Sequence, residues 1–174
     1  MDYRKYYYLE AYLLGDVLDR FRATGKLSAF HFHCILVWKA NRAKKKHMDR
    51  LQRISGQTYR KSVACLISEL LRSPNPKERL GVLMQDWGFR LPTASAILTI
   101  LYPDDFTVYD MRVCGELGKF RELANRKFTE RLWDDYVKFK DRVVRETPSH
   151  YCLRDKDRYL WGKSFYKQVR NEST

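Results

Sequence analysis

Apolar residues return every third or fourth position along almost the whole chain, the period of helices with one buried face. Leu9, Leu13, Val17 and Phe21 set the first stripe, and the "ATGK" turn at 23–26 ends it. Ser28 is placed to cap a second helix that carries Phe30, Cys34 and Val37 inward, since a serine hydroxyl accepts from the unsatisfied N–H groups of a first turn. A strongly basic segment follows from about Asn41 to Ile54 and stops at Gly56. Val63, Leu66, Ile67 and Leu70 mark a fourth helix, closed by "SPNP". A fifth, about Lys77 to Asp86, leads through Gly88 to Pro92, which suits a first helical position because its missing N–H costs nothing there. Ala94, Ile97, Leu98 and Leu101 give the next apolar face, and Pro103 stops it. A short helix follows Asp110, and a long one runs from about Thr129 to Glu146 with Leu132, Tyr136, Phe139 and Val143. "RDKDRYLWGKSFYKQ" forms the last. No stretch alternates as a half-buried strand does, and no repeat or low-complexity linker intervenes, so the pattern predicts an all-α protein.

Composition narrows the partners. The 174 residues suit one domain or two small lobes sharing a core, and 44% hydrophobic residues supply a packed interior. Lys and Arg number 34 against 21 Asp and Glu, a net charge of +13 that predicts a polyanionic partner. Nucleic acid fits better than membrane, because apolar stretches such as Ala96 to Tyr102 are broken by Thr99 and too short to span a bilayer. "MDYRKYYYLE" has no apolar signal-peptide core, which predicts a cytoplasmic protein, at the nucleoid in a bacterium. Cys34, Cys65, Cys114 and Cys152 stand far apart in apolar settings, predicting buried thiols and neither a disulfide framework nor a cysteine-ligated zinc or iron–sulfur site. His31 and His33 lack a third ligand at metal-binding spacing. The densest basic run, "NRAKKKHMDR", places Arg42, Lys44, Lys45 and Lys46 together; a solvated face is the plain reading, and the net charge favours contact with a DNA backbone.

The chemistry concentrates in "GFRLPTASAILTILYPDDFTVYDMRV", residues 88–113. A helix, a tight glycine turn and a second helix make a phosphate-binding hairpin, since N–H groups at the positive end of a helix accept a phosphate oxygen. An ordinary helix–helix corner and an ordinary aspartate N-cap are the plainer readings of the same residues. The order of hairpin glycine, "TASAIL" helix, short Pro-containing loop, hydrophobic–aromatic pair and aspartate resembles the helix-hairpin-helix DNA glycosylases, above all the adenine DNA glycosylases and endonuclease III relatives. Thr93, Ala94, Ala96, Ile97 and Leu98 fall in register with that family, and Asp110 falls on its catalytic position. "ILVWKANRA" (35–43) matches the end of the family's early helix, and "LRDKDRYLWGK" (153–163) resembles a terminal helix that packs back on the N-terminal segment.

The resemblance implies a single domain over 1–174, built as a two-lobed helical bundle with a helix-hairpin-helix motif and a cleft between the lobes. The N- and C-terminal helices would form one lobe, and about 42–125 the hairpin-containing lobe. It implies catalysis by Asp110, a base pocket or wedge drawn from Trp38, Lys39, Asn41, Phe89 and Tyr109, and DNA contacts from Gly88, Arg90 and Thr93 together with Arg42, Lys44, Lys45 and Lys46. The partner is then double-stranded DNA containing a modified or mispaired base, bound by a monomer, in DNA repair or in defence against phage with modified DNA. Three departures refine this. Arg90 replaces the hairpin's second glycine, which puts the family's monovalent cation there in question and offers a direct phosphate contact instead. Pro92 stands where bifunctional members carry a Schiff-base lysine, so the expected enzyme is monofunctional, releasing the base by water attack without lyase activity. The iron–sulfur cysteines are missing, and no cofactor is expected. The alternative is a non-catalytic helix-hairpin-helix DNA-binding protein.

Overall fold

The computed structural model describes residues 2–173, and every regular element among them is helical. The chain divides into two compact units, one ending at Phe89 and the other beginning at Arg90.

The first unit opens with α1 (Arg4–Tyr7) and α2 (Leu9–Tyr12), a π-helical stretch at Leu13–Val17, and α3 (Leu18–Thr24). Its stripe of Leu13, Val17 and Phe21 is buried as the spacing predicts. The helix read from that stripe runs on without a break from Leu9 to Thr24, with the π stretch as a local widening that takes an extra residue per turn. Gly25, at φ +64°, ends α3 in the left-handed conformation that favours glycine. In α4 (Ala29–Ala40) the Ser28 hydroxyl accepts from the His31 N–H at 3.1 Å. The inner face of α4 is Phe32, Cys34, Ile35 and Leu36; Phe30, expected inward, lies in the first turn before that face begins and is 54% exposed. A 3-10 turn at Asn41–Ala43 leads to α5 (Lys44–Ser55), which buries only His47 and Leu51 and packs on α4 and α6 (Tyr59–Arg72). Asn75 caps α7 (Pro76–Gly81), and a second π stretch, Val82–Asp86, follows.

In the second unit α8 (Leu91–Leu101) is the core element: every residue from Thr93 to Leu101 is buried, not one face alone. Pro92 occupies its first turn, one place later than predicted. Next come α9 (Met111–Leu117), a 3-10 turn at Arg121–Asn125, α10 (Glu130–Arg145) capped by the Thr129 hydroxyl, and α11 (Leu153–Glu172), which packs on α9 and α10. All four cysteines are free, and only Cys34 and Cys114 are buried. Cys65 is exposed because Val63, Leu66, Ile67 and Leu70 set the inner face of α6 and leave it outside; Cys152 precedes α11 at the surface.

Candidate active site

Between α8 and α9 the chain crosses the interior of the second unit as extended backbone. Phe106, Thr107 and Tyr109 are fully buried and Val108 is 5% exposed. Buried backbone outside a helix or sheet must find partners elsewhere, and here side chains from three helices supply them. The Thr107 N–H donates to the Tyr136 hydroxyl of α10 at 3.1 Å, and that hydroxyl donates to the Thr107 carbonyl at 2.7 Å. Asp157 of α11, 2% exposed, accepts with Oδ2 from the Thr107 hydroxyl at 2.8 Å and from the Val108 N–H at 2.9 Å. Its Oδ1 pairs with Arg154. Ser95 of α8 accepts from the Tyr109 N–H at 3.0 Å.

That braced segment delivers Asp110, which is half-buried and extended at φ −137°, ψ 142°. Its Oδ1 accepts the Arg112 N–H at 2.9 Å, so it is the N-cap of α9 and lies at the positive end of that helix, where a negative charge is favoured. Beneath it the Tyr109 hydroxyl donates to the carbonyls of Phe120 at 2.5 Å and Arg121 at 3.2 Å. Phe120 is the one described non-glycine residue at positive φ, +76°, and its ring packs edge-on against Phe139. Burial pushes the Cys114 thiol, one turn into α9, up to about 11, so it stays a neutral thiol with no nucleophilic character. Asp110 is thus a carboxylate on a rigid mount, partly open to solvent.

Several residues expected to touch DNA or a base are buried. Phe89 is 2% exposed, stacked on His47 with ring centroids 5.2 Å apart and edge-on to Phe32. Tyr109 is fully buried. Both of these pocket or wedge candidates are therefore packed in the interior. Thr93 is likewise 9% exposed. Gly88 sits at φ +65°, its carbonyl accepting from Arg50, and a Cβ there would come within 3.3 Å of the Arg50 side chain. Arg90 is exposed and donates to Asn125.

In the first unit, Trp38 and Lys39 are half-buried in the last turn of α4. Exposed Asn41 accepts from the Lys44 ammonium with both Oδ1 (2.6 Å) and its carbonyl (3.1 Å), so two residues assigned separate roles hold each other. Arg42 is exposed. Lys45 and Lys46 line a shallow groove of about 510 Å³ with Asp49, Arg50 and Arg53. A second cavity of about 680 Å³, bordered by Arg20, Lys26, Arg60 and His31, contains none of the expected site residues.

The braces Ser95, Tyr136 and Asp157 escape sequence reading. The available signal was polar residues on otherwise apolar helical stripes, Ser95 inside "TASAIL" and Asp157 three residues before Leu160, but nothing in the spacing names their partners. Among the described residues, no group of three or more His, Cys, Asp and Glu is arranged to hold a metal ion, and no helix is long and apolar enough to cross a membrane. Compared with known proteins, the chain matches no family model, no curated protein and no solved structure.

Proposed function

We propose that the protein is a monofunctional DNA N-glycosylase of helix-hairpin-helix type, which removes a modified or mispaired base and leaves an abasic site. The observation that carries the reading is the mount of Asp110: buried hydrogen bonds from Ser95, Tyr136 and Asp157 fix the extended segment before it, and the carboxylate emerges partly exposed at the start of α9. An N-cap alone needs no such support. Breaking an N-glycosidic bond builds positive charge on the sugar, and a fixed carboxylate stabilises that cation while orienting or deprotonating the attacking water. The target base first leaves the duplex stack, where an aromatic side chain can receive it. Pro92 in the first turn of α8 offers no amine, which supports hydrolysis without strand cleavage. The net charge of +13 and the groove on α5 support a DNA partner, held on its phosphates.

Asp110→Asn tests this directly, because asparagine caps a helix as well as aspartate does and lacks only the charge. Base release from a panel of alkylated, oxidised, mismatched and phage-modified duplexes, read by free-base mass spectrometry, should fall by at least about a hundredfold while DNA binding persists. The substrates that release base decide between repair and defence against modified phage DNA. The second reading, a non-catalytic helix-hairpin-helix DNA-binding protein, draws on the Asp110–Arg112 cap itself, a sufficient structural role for an aspartate. Wild-type protein that binds duplex DNA and releases no base from any member of the panel establishes that reading instead.

A further inference from the structure

The second half of α11 is almost wholly exposed, yet it carries large rings. Trp161 is 42% and Phe165 46% exposed, and they stack on each other with centroids 5.5 Å apart and ring planes 16° from parallel, forming one aromatic pair. The Arg112 guanidinium lies 5.3 Å from the Trp161 ring and 5.7 Å from the Phe165 ring. Gln168, the next residue along the same face of α11, accepts from Arg112 at 2.6 Å and is itself held by Glu172 at 2.8 Å. The backbone N–H of this same arginine donates to the Asp110 carboxylate. The ring pair is therefore one arginine side chain away from the candidate carboxylate.

We propose that Trp161, Phe165 and Arg112 form a ledge on which an unpaired base of a DNA strand stacks. The rings are the right chemistry, since every base has a flat π-face and exposed aromatics bind it without regard to sequence. The charge is complementary as well. Arg112 is held by a neutral amide and two rings, and its planar guanidinium suits a phosphate oxygen. The ledge is also preorganised: rings, arginine, glutamine and glutamate hold each other's rotamers before a ligand arrives, which lowers the entropy cost of binding. Base stacking here follows from ring and charge chemistry alone; only its service to base removal rests on the proposed glycosylase activity. The experiment accordingly reads binding without turnover.

Fluorescence anisotropy would compare a short single-stranded oligothymidylate with an oligonucleotide of the same length made of abasic sites. The wild-type protein should bind the thymidine strand about tenfold more tightly, the scale of one stacked base. Trp161→Leu, which keeps an apolar side chain and removes the flat ring, should abolish that preference, and Trp161→Phe should keep most of it. Arg112→Gln should weaken both strands and flatten their salt dependence by about one unit of slope, as expected when one phosphate is no longer neutralised. Equal wild-type affinity for the two strands overturns the proposal without any variant. So does sedimentation showing a wild-type dimer that Trp161→Leu converts to monomer, because the rings would then be an interface between copies. Failure of Asp110→Asn to alter base release leaves these outcomes untouched.

Discussion

Asp157→Asn is the sharpest probe of the mount. The substitution preserves shape and replaces one carboxylate oxygen by an amide that only donates. If the amide oxygen keeps Thr107 and Val108, its NH2 group faces the Arg154 guanidinium, also only a donor, and the ion pair is lost. If the amide turns over, the Val108 N–H faces a donor and is orphaned in the interior, at about 1–3 kcal/mol. Removing one partner of a buried ion pair costs about 3–5 kcal/mol, and the 11% exposure of the Arg154 side chain favours the lower figure. At about 2–4 °C per kcal/mol, the melting temperature should fall by roughly 6–12 °C. Thermal unfolding followed by circular dichroism gives that number. Hydrogen exchange at the Val108 amide gives a local one, which should lose protection by more than the global change accounts for. Base release should fall too, since the segment that aims Asp110 is loosened. A melting temperature within about 2 °C of wild type, with Val108 still protected, would refute the claim that Asp157 holds this segment.

The remaining predictions concern separate elements. Because Pro92 offers no amine, the product strand should stay intact until alkali or heat is applied, and borohydride should trap no covalent protein–DNA adduct; a strong crosslink overturns the monofunctional assignment. Replacing Lys45, Lys46 and Arg53 by Gln should weaken binding to all sequences alike and reduce the salt slope by up to about one unit for each phosphate left without its cation, whereas an unchanged slope makes that groove a solvated face. Burial, with Arg50 and Lys46 nearby, pushes His47 down from 6.5 to about 4, so the unfolded chain takes up this proton before the folded protein does. His47 therefore contributes stability in full above pH 6.5 and loses it as pH falls towards about 4, by at most roughly 3 kcal/mol; the denaturant midpoint of wild type should fall relative to that of His47→Phe over that window. Tyr136→Phe removes both hydrogen bonds to Thr107 and should cost about 1–3 kcal/mol by urea titration.

What could be read from the chain was local. Ser28 caps α4 as its position predicts, and Thr129, read as the start of α10, caps it, because a cap and its N–H partner lie three residues apart. The stripes of α6 and α10 are buried as spaced. The stripe counted through the first π stretch is buried too, but the change of period itself was not legible in the sequence. Composition also misled in one respect: Phe30 and Cys65 have the residue types of an interior and the positions of a surface. The position of Asp110 was legible as a helix start, but its mount was not. Thr107 meets Tyr136 across 29 residues and Asp157 across 50, and a single sequence carries no register for such distances.

The same long reach has a consequence for the protein's birth. Residues emerge from the ribosome in order, and Asp110 emerges well before the side chains that aim it. Until α11 is made, Thr107 and Val108 have no Asp157 to meet, and the carboxylate is attached to a loose strand. Its alignment therefore has to wait until α11 is in place. A chain cut short before Asp157 would keep the aspartate and lose its aim, so unfinished or clipped copies would carry the residue without its fixed direction.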